Sequence, residues 1–174
     1  MSPERNQNPI TLEEIVSNAK EIMLRDGNHV PVLIMEADNK VVAGQIRDMP
    51  PTHGERVELM RFLGQAAAKS GRVSHLEQVF MVSEGWMSEP SEDKPTSLRP
   101  SEDPNRKEVL IISAIQTRER KKHLKVYEVS RDKYEQVTSI EEFSPEDKSE
   151  ATVEVPLLDA FVQGFQTAFR TKFN

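Results

Sequence analysis

The strongest constraint on the fold of this chain lies between Val79 and Ile115. The apolar run Val79-Phe80-Met81-Val82 ends in Ser83-Glu84-Gly85-Trp86. A polar, proline-punctuated excursion follows, and a second apolar run starts after Arg106-Lys107-Glu108. Short apolar runs bounded by turn residues read as buried strands. Hairpin loops usually have about two to five residues, so a loop spanning 87–106 points to a functional or a disordered segment. If the two strands pair antiparallel, the end of one faces the start of the other. That arrangement brings Glu84 and Trp86 toward Arg106 and Glu108.

The remaining elements follow from local signals. Thr11-Leu12-Glu13-Glu14 is a capping box, and Leu12, Ile15, Ala19, Ile22 and Met23 continue at helical spacing to Asp26-Gly27, which predicts a helix over 11–25. His29 to Ala37 is a branched apolar run, expected as a strand inside the sheet. Asp38-Asn39 is a turn, and Lys40 to Ile46 is the return strand, with Gly44 and Gln45 suiting an edge. Pro50-Pro51 breaks the chain before a second capping box, Thr52 to Glu55. The helix that follows carries Val57, Met60, Phe62, Leu63, Ala66 and Ala67, and Gly71 ends it. Strands are expected at Leu76–Gly85, Val109–Gln116 and His123–Ser130, the last two joined by a charged turn at 118–122. In the fifth strand Leu124, Val126 and Glu128 alternate with Lys125, Tyr127 and Val129. Residues 131–152 read as an acidic loop with a short strand or turn near Val137–Ile140. Pro156 opens a last helix bearing Phe161, Phe165, Phe169 and Phe173 at four-residue intervals.

The expected fold class is therefore α+β. It has a single five-stranded, mostly antiparallel sheet and three helices in the order α-β-β-α-β-β-β-α. Residues 1–10 read as a disordered arm and 11–174 as one domain. This order is similar in topology to the roadblock/longin and profilin-like α/β folds. No motif of those families stands in the sequence, so the resemblance implies an architecture and no site residue or activity.

Composition removes several function classes. A domain near 174 residues buries roughly 70% of its unfolded surface, enough for an unassisted core. The chain has no cysteine, which excludes disulfides, thiolate metal sites and a cysteine nucleophile, and is compatible with the cytoplasm. No apolar run approaches the roughly 20 residues needed to span a bilayer, and the start lacks a signal-peptide pattern. Formal net charge of −6 opposes broad attraction to nucleic acid or anionic lipid. Phosphate loops and nucleophile elbows are missing, and the four histidines have no metal-ligand spacing, so neither a cofactor nor a metal is expected.

The candidate binding set is Glu84, Trp86, Arg99, Asp103, Arg106, Lys107 and Glu108. The indole offers contact area, and the arginines offer planar forks for a carboxylate or phosphate. The ordinary alternative is a cross-strand ion pair with a tryptophan covering the end of the sheet. Glu36, Glu84 and Glu108, on three strands, form a weak acid–base trio. The basic cluster Arg118-Glu119-Arg120-Lys121-Lys122-His123 could grip a phosphate backbone, but a soluble hairpin turn explains it better, because Glu119 interrupts it and no aromatic is interleaved. The phenylalanine stripe reads first as a core face, with Phe165, Phe169 and Phe173 as the residues through which a second subunit could dock. The leading expectation is a non-catalytic cytoplasmic binding or assembly module, a homodimer, with an anionic small molecule or a protein as further partner. The alternatives are a small enzyme acting on an anionic substrate at 84–108 and nucleic-acid binding through 118–123.

Overall fold

The computed structural model describes residues 8–89, 92–93, 98–143 and 153–172. The elements run α1 (Leu12–Asp26), β1 (Val32–Ala37), β2 (Lys40–Gln45), α2 (His53–Lys69), β3 (Leu76–Met87), β4 (Lys107–Gln116), β5 (Lys121–Arg131), β6 (Val137–Glu142) and α3 (Pro156–Lys172). A short 3₁₀ turn at Pro100–Glu102 sits between β3 and β4. The strands form one antiparallel sheet of six, in the order β2-β1-β3-β4-β5-β6. The expected helix and strand order holds, with one strand more than expected. The addition is β6, whose two apolar residues Val137 and Ile140 are only partly buried, so its apolar signal in the sequence is faint.

Both expected capping boxes form. Thr11 Oγ1 accepts from the Glu14 N–H at 3.2 Å while the Glu14 carboxylate accepts from the Thr11 N–H at 2.8 Å. Thr52 and Glu55 repeat the exchange at 3.3 Å each way. A box of this kind satisfies amides that the first helical turn would otherwise leave open, worth about 1 kcal/mol. Gly27 ends α1 at φ 74°, a left-handed conformation that glycine takes without a Cβ penalty. Asp38 and Asn39, at φ 52° and 59°, form the two-residue turn of the β1–β2 hairpin. The Asp38 carboxylate also accepts from the N–H groups of Ser74 (2.6 Å) and His75 (3.0 Å), tying the hairpin to the start of β3. These donors hold its carboxyl below the usual range, the Ser74 amide most of all.

Helices cover both faces of the sheet. On one face Ile15, Ala19 and Met23 of α1 pack on Phe80, Val82, Leu110, Ile112, Ala114, Tyr127 and Val129. On the other, Met60, Ala68, Leu158, Phe161 and Phe165 of α2 and α3 pack on Met35, Ala37, Val79, Met81 and Ile115. β1 is apolar on both faces because it lies between these layers, in second place from the edge. α2 and α3 touch backbone to backbone at two reciprocal points. A Cβ on Gly64 would collide with the Phe161 carbonyl, and one on Gly164 with the Arg61 carbonyl.

The expected arm at 1–10 lies mostly outside the described residues. Its last part is anchored: Ile10 packs beside the α1 layer, and its carbonyl accepts from Gln78 Nε2 at 2.7 Å. Phe161 and Phe165 of the stripe are buried within the chain itself, so Phe165 has no surface to offer a second subunit. Phe169, half-buried, stacks on Phe165 at 6.3 Å, and Phe173 lies outside the described residues.

Candidate functional site

The β3–β4 register sets the geometry around the long loop. Trp86 lies opposite Glu108, Glu84 opposite Leu110 and Met87 opposite Lys107. The Arg106 guanidinium rests 4.4 Å from the centroid of the half-exposed Trp86 ring, a cation–π contact worth about 0.5–1 kcal/mol at an exposed site. Trp86, Arg106, Glu84 and Glu108 are thus neighbours at one end of the sheet.

Several of these side chains are already engaged. Both Glu108 oxygens are taken by Arg131, through Nε at 2.7 Å and Nη2 at 2.6 Å. The same guanidinium donates to the Gly27 carbonyl at 2.7 Å and to the Glu135 carbonyl at 2.9 Å. Hydrogen bonding to Glu108, with Glu84 adding attraction, raises the Arg131 pKa further. Glu84 itself accepts from the His29 N–H. Lys107 pairs with Glu89 (3.1 Å) and Glu128 (3.3 Å), which raises its pKa, Glu89 contributing most. Asp103 is fully buried. It accepts from Ser88 Oγ and from the Asn105 N–H (2.9 Å), and its carbonyl accepts from the Arg106 N–H (3.1 Å). It pins the loop to the end of β3 and presents no surface to a ligand, which removes it from the binding set.

The glutamate trio does not converge. Glu36 is buried, bound by Gln78 Nε2, and lies opposite Gln78. Glu84 is six residues farther along β3, about 20 Å away at strand rise. Among the described residues no group of three or more His, Asp or Glu side chains could hold a metal ion.

Sequence reasoning missed a cleft of about 1000 Å³ on the face opposite α1. Its floor is Met81, Ser83, Ile111, Ser113 and Leu124. The start of α2 (Thr52, His53, Arg56) and the start of α3 (Glu154 to Leu158) form walls. Arg99 to Ser101 and Trp86 form the rim, and at the end of the sheet it reaches Glu84 and Glu108. The cleft exists because α2 and α3 cover the β1–β3 side and leave β4 and β5 partly bare. Leu124 is 42% exposed. Arg56 is positioned by donating from Nε to the Pro50 carbonyl at 2.6 Å, and among the described residues neither Arg56 nor Arg99 forms an ion pair. Of the expected binding residues, Glu84, Trp86, Arg99 and Glu108 line this cleft. Arg106 adjoins it through Trp86, and Lys107 and Asp103 lie outside its lining. No local signal marks Arg56 or Leu124 in the sequence, since their relation to β3 depends on how the helices pack.

The basic cluster at 118–123 forms the tight β4–β5 turn and the start of β5, with Arg120 in the left-handed region at φ 53°. Lys122 is paired with Asp159 of α3 at 2.8 Å. Among the described residues no helix is long and apolar enough to cross a membrane.

These features define an α+β protein built on a six-stranded antiparallel sheet, with one helix on one face, two on the other and an open cleft beside the pair. Residues 1–169 match the family described as bacteriophage lambda protein ea47, and the chain belongs to that family. No curated protein and no solved structure matches it.

Proposed function

We propose that this chain is a non-catalytic binding and assembly module that takes an anionic small molecule with an apolar body in the cleft. The observation that carries this reading is the bare β4–β5 floor beside two arginines that form no ion pair among the described residues. Pockets of roughly 300–1,000 Å³ with apolar walls and a few placed polar groups are usual for ligands of that size. Met81, Ile111 and Leu124 offer apolar surface, and Arg56 and Arg99 offer forks for a carboxylate, sulfonate or phosphate. Acid–base catalysis fits less well, because Glu108 is clasped by Arg131 and Glu84 by the His29 amide. The reading includes a cytoplasmic place of work, with which a cysteine-free chain is compatible, and action as a homodimer.

The test is a fluorescence titration with 8-anilinonaphthalene-1-sulfonate, an anionic probe with an aromatic body. One saturable site per chain is expected. Arg56→Gln with Arg99→Gln, and separately Leu124→Glu, are expected to weaken it about tenfold or more, equivalent to about 1.4 kcal/mol. Phe62→Ser, on an exposed part of α2 outside the cleft, serves as control. Absence of saturation, or equal affinity in all variants, would overturn the reading.

A further inference from the structure

The two edges of the sheet are built differently. At one edge β6 ends in Glu141-Glu142, and a register shift lies between Ser130 and Arg131 where β5 meets it. Charges and bulges are devices that discourage edge-to-edge pairing. At the other edge every residue of β2 is exposed, and Val41-Val42-Ala43-Gly44 carries no charge. Val41 is 45% and Val42 49% exposed, one on each face of the sheet, so the edge offers branched apolar side chains on both sides of its backbone.

The hairpin determines which backbone groups of β2 are open. In a two-residue hairpin the residues flanking the turn, here Ala37 and Lys40, exchange both backbone hydrogen bonds, and bonded pairs then alternate. Lys40, Val42 and Gly44 therefore bond to β1. The N–H and C=O groups of Val41, Ala43 and Gln45 point away from the sheet. Just beyond the strand the Ile46 N–H bonds to the Pro31 carbonyl at 2.8 Å, in step with this alternation.

We infer that β2 pairs antiparallel with β2 of a second copy, about a two-fold axis at Val42, joining two sheets into one. In that register Val41 exchanges backbone hydrogen bonds with Ala43 of the second copy, using only outward groups. Val42 meets its own symmetry mate as a non-hydrogen-bonded pair, where Cα atoms come to about 4.5 Å and side chains are closest. Lys40 falls opposite Gly44, so no like charges meet. Centring the axis on Ala43 also uses outward groups, but it sets Val41 against Gln45 and Val42 against Gly44, and loses the branched apolar pairs. A strand seam of this length buries less than a standard stable interface of about 1,600 Å², so the association is concentration-dependent. The inference rests on the homodimer part of the proposed function and is separate from the cleft, because none of β2 lines it.

The chain has no cysteine, so single cysteines report the seam directly. Val42→Cys is expected to give a disulfide-linked dimer under mild oxidation, since a separation of about 4.5 Å lies within the range a disulfide spans. Thr138→Cys on β6 is expected to cross-link far less. In sedimentation equilibrium the unaltered chain is expected to dimerise with rising concentration. Val42→Lys, which sets two ammonium groups face to face, is expected to weaken this at least about tenfold. Ala43→Pro removes an outward N–H that β1 does not use and is expected to do the same. Circular dichroism on both variants reports whether the monomer is intact. A monomer at every concentration, equal cross-linking from β2 and β6, or a dimer indifferent to Val42→Lys in a folded chain would overturn the inference.

Discussion

The two faces of the sheet solve the same problem with opposite results. On the α1 face the cover is one helix and one arginine. α1 covers the apolar rows of β3, β4 and β5, and beyond its C-terminus Arg131 reaches from β5 to bind Glu108 and the Gly27 carbonyl together. On the other face two helices are pressed together through Gly64 and Gly164. They are bound so closely to each other that they shield only part of the sheet, leaving the floor at Ile111, Ser113 and Leu124 open. Each face is thus bare at a different end: the α2–α3 face at β4 and β5, and the α1 face at β2, where Val41, in line with Glu36 and Gln78, is 45% exposed. The bare floor on the α2–α3 side is walled by the starts of both helices, whereas β2 stands at the edge of the sheet.

Substitutions can break this contrast, beginning with the helix pair. Phe161→Ala removes a fully buried ring between α2, α3 and the sheet, and is expected to cost about 3–5 kcal/mol in urea unfolding. A loss below about 1 kcal/mol would mean that the pair is not packed as described. On the opposite face, Arg131→Ala leaves the Glu108 carboxylate, only 16% exposed, without its fork, and frees the Gly27 carbonyl. A loss of about 2–3 kcal/mol is expected, less than for a fully buried pair because water reaches part of the site. Arg131→Ala together with Glu108→Ala should recover part of that loss in a double-mutant cycle.

A smaller effect is expected at the β1–β2 turn. Asp38→Asn keeps a residue tolerant of positive φ but replaces an acceptor facing Ser74 with an amide, at about 1 kcal/mol near neutral pH. The folded-state pKa of Asp38 is depressed, so its contribution is full above the unfolded value of about 3.9 and is lost as pH falls through the folded value. The two proteins should therefore converge in stability in strong acid, and a gap that persisted there would rule out the carboxylate as its source. Least of all, Leu124→Ser on the open floor should change stability by no more than about 0.5 kcal/mol while weakening probe binding. A large stability loss there would show that the floor belongs to the core.

What could be read in the sequence divides along local and non-local lines. Thr11–Glu14, Thr52–Glu55, Gly27 and Asp38-Asn39 each act within a few residues, and each forms as read. The β3–β4 pairing was also legible, because two apolar runs flanking one loop have few other solutions, and it brings Arg106 onto Trp86. β6 shows in the sequence only as a turn or short strand, because an edge strand needs little apolar content. Arg131 went unnoticed because its bond to Glu108 depends on the β4–β5 register and on where α1 ends. The interface reading of Phe165 failed for a related reason. A stripe of rings shows that a helix must bury one face, but not that the neighbour doing so is α2 of the same chain.

Gly64 and Gly164 sit in helices separated by four of the six strands. Until α3 is made, α2 lacks the backbone it is shaped to meet, and Met60 and Val79 lack the rings of Phe161 and Phe165 that close over them. A nascent chain released after β6 would therefore carry a finished α1 side and a raw apolar one, a state suited to chaperone capture. Completion would wait on the arrival of α3.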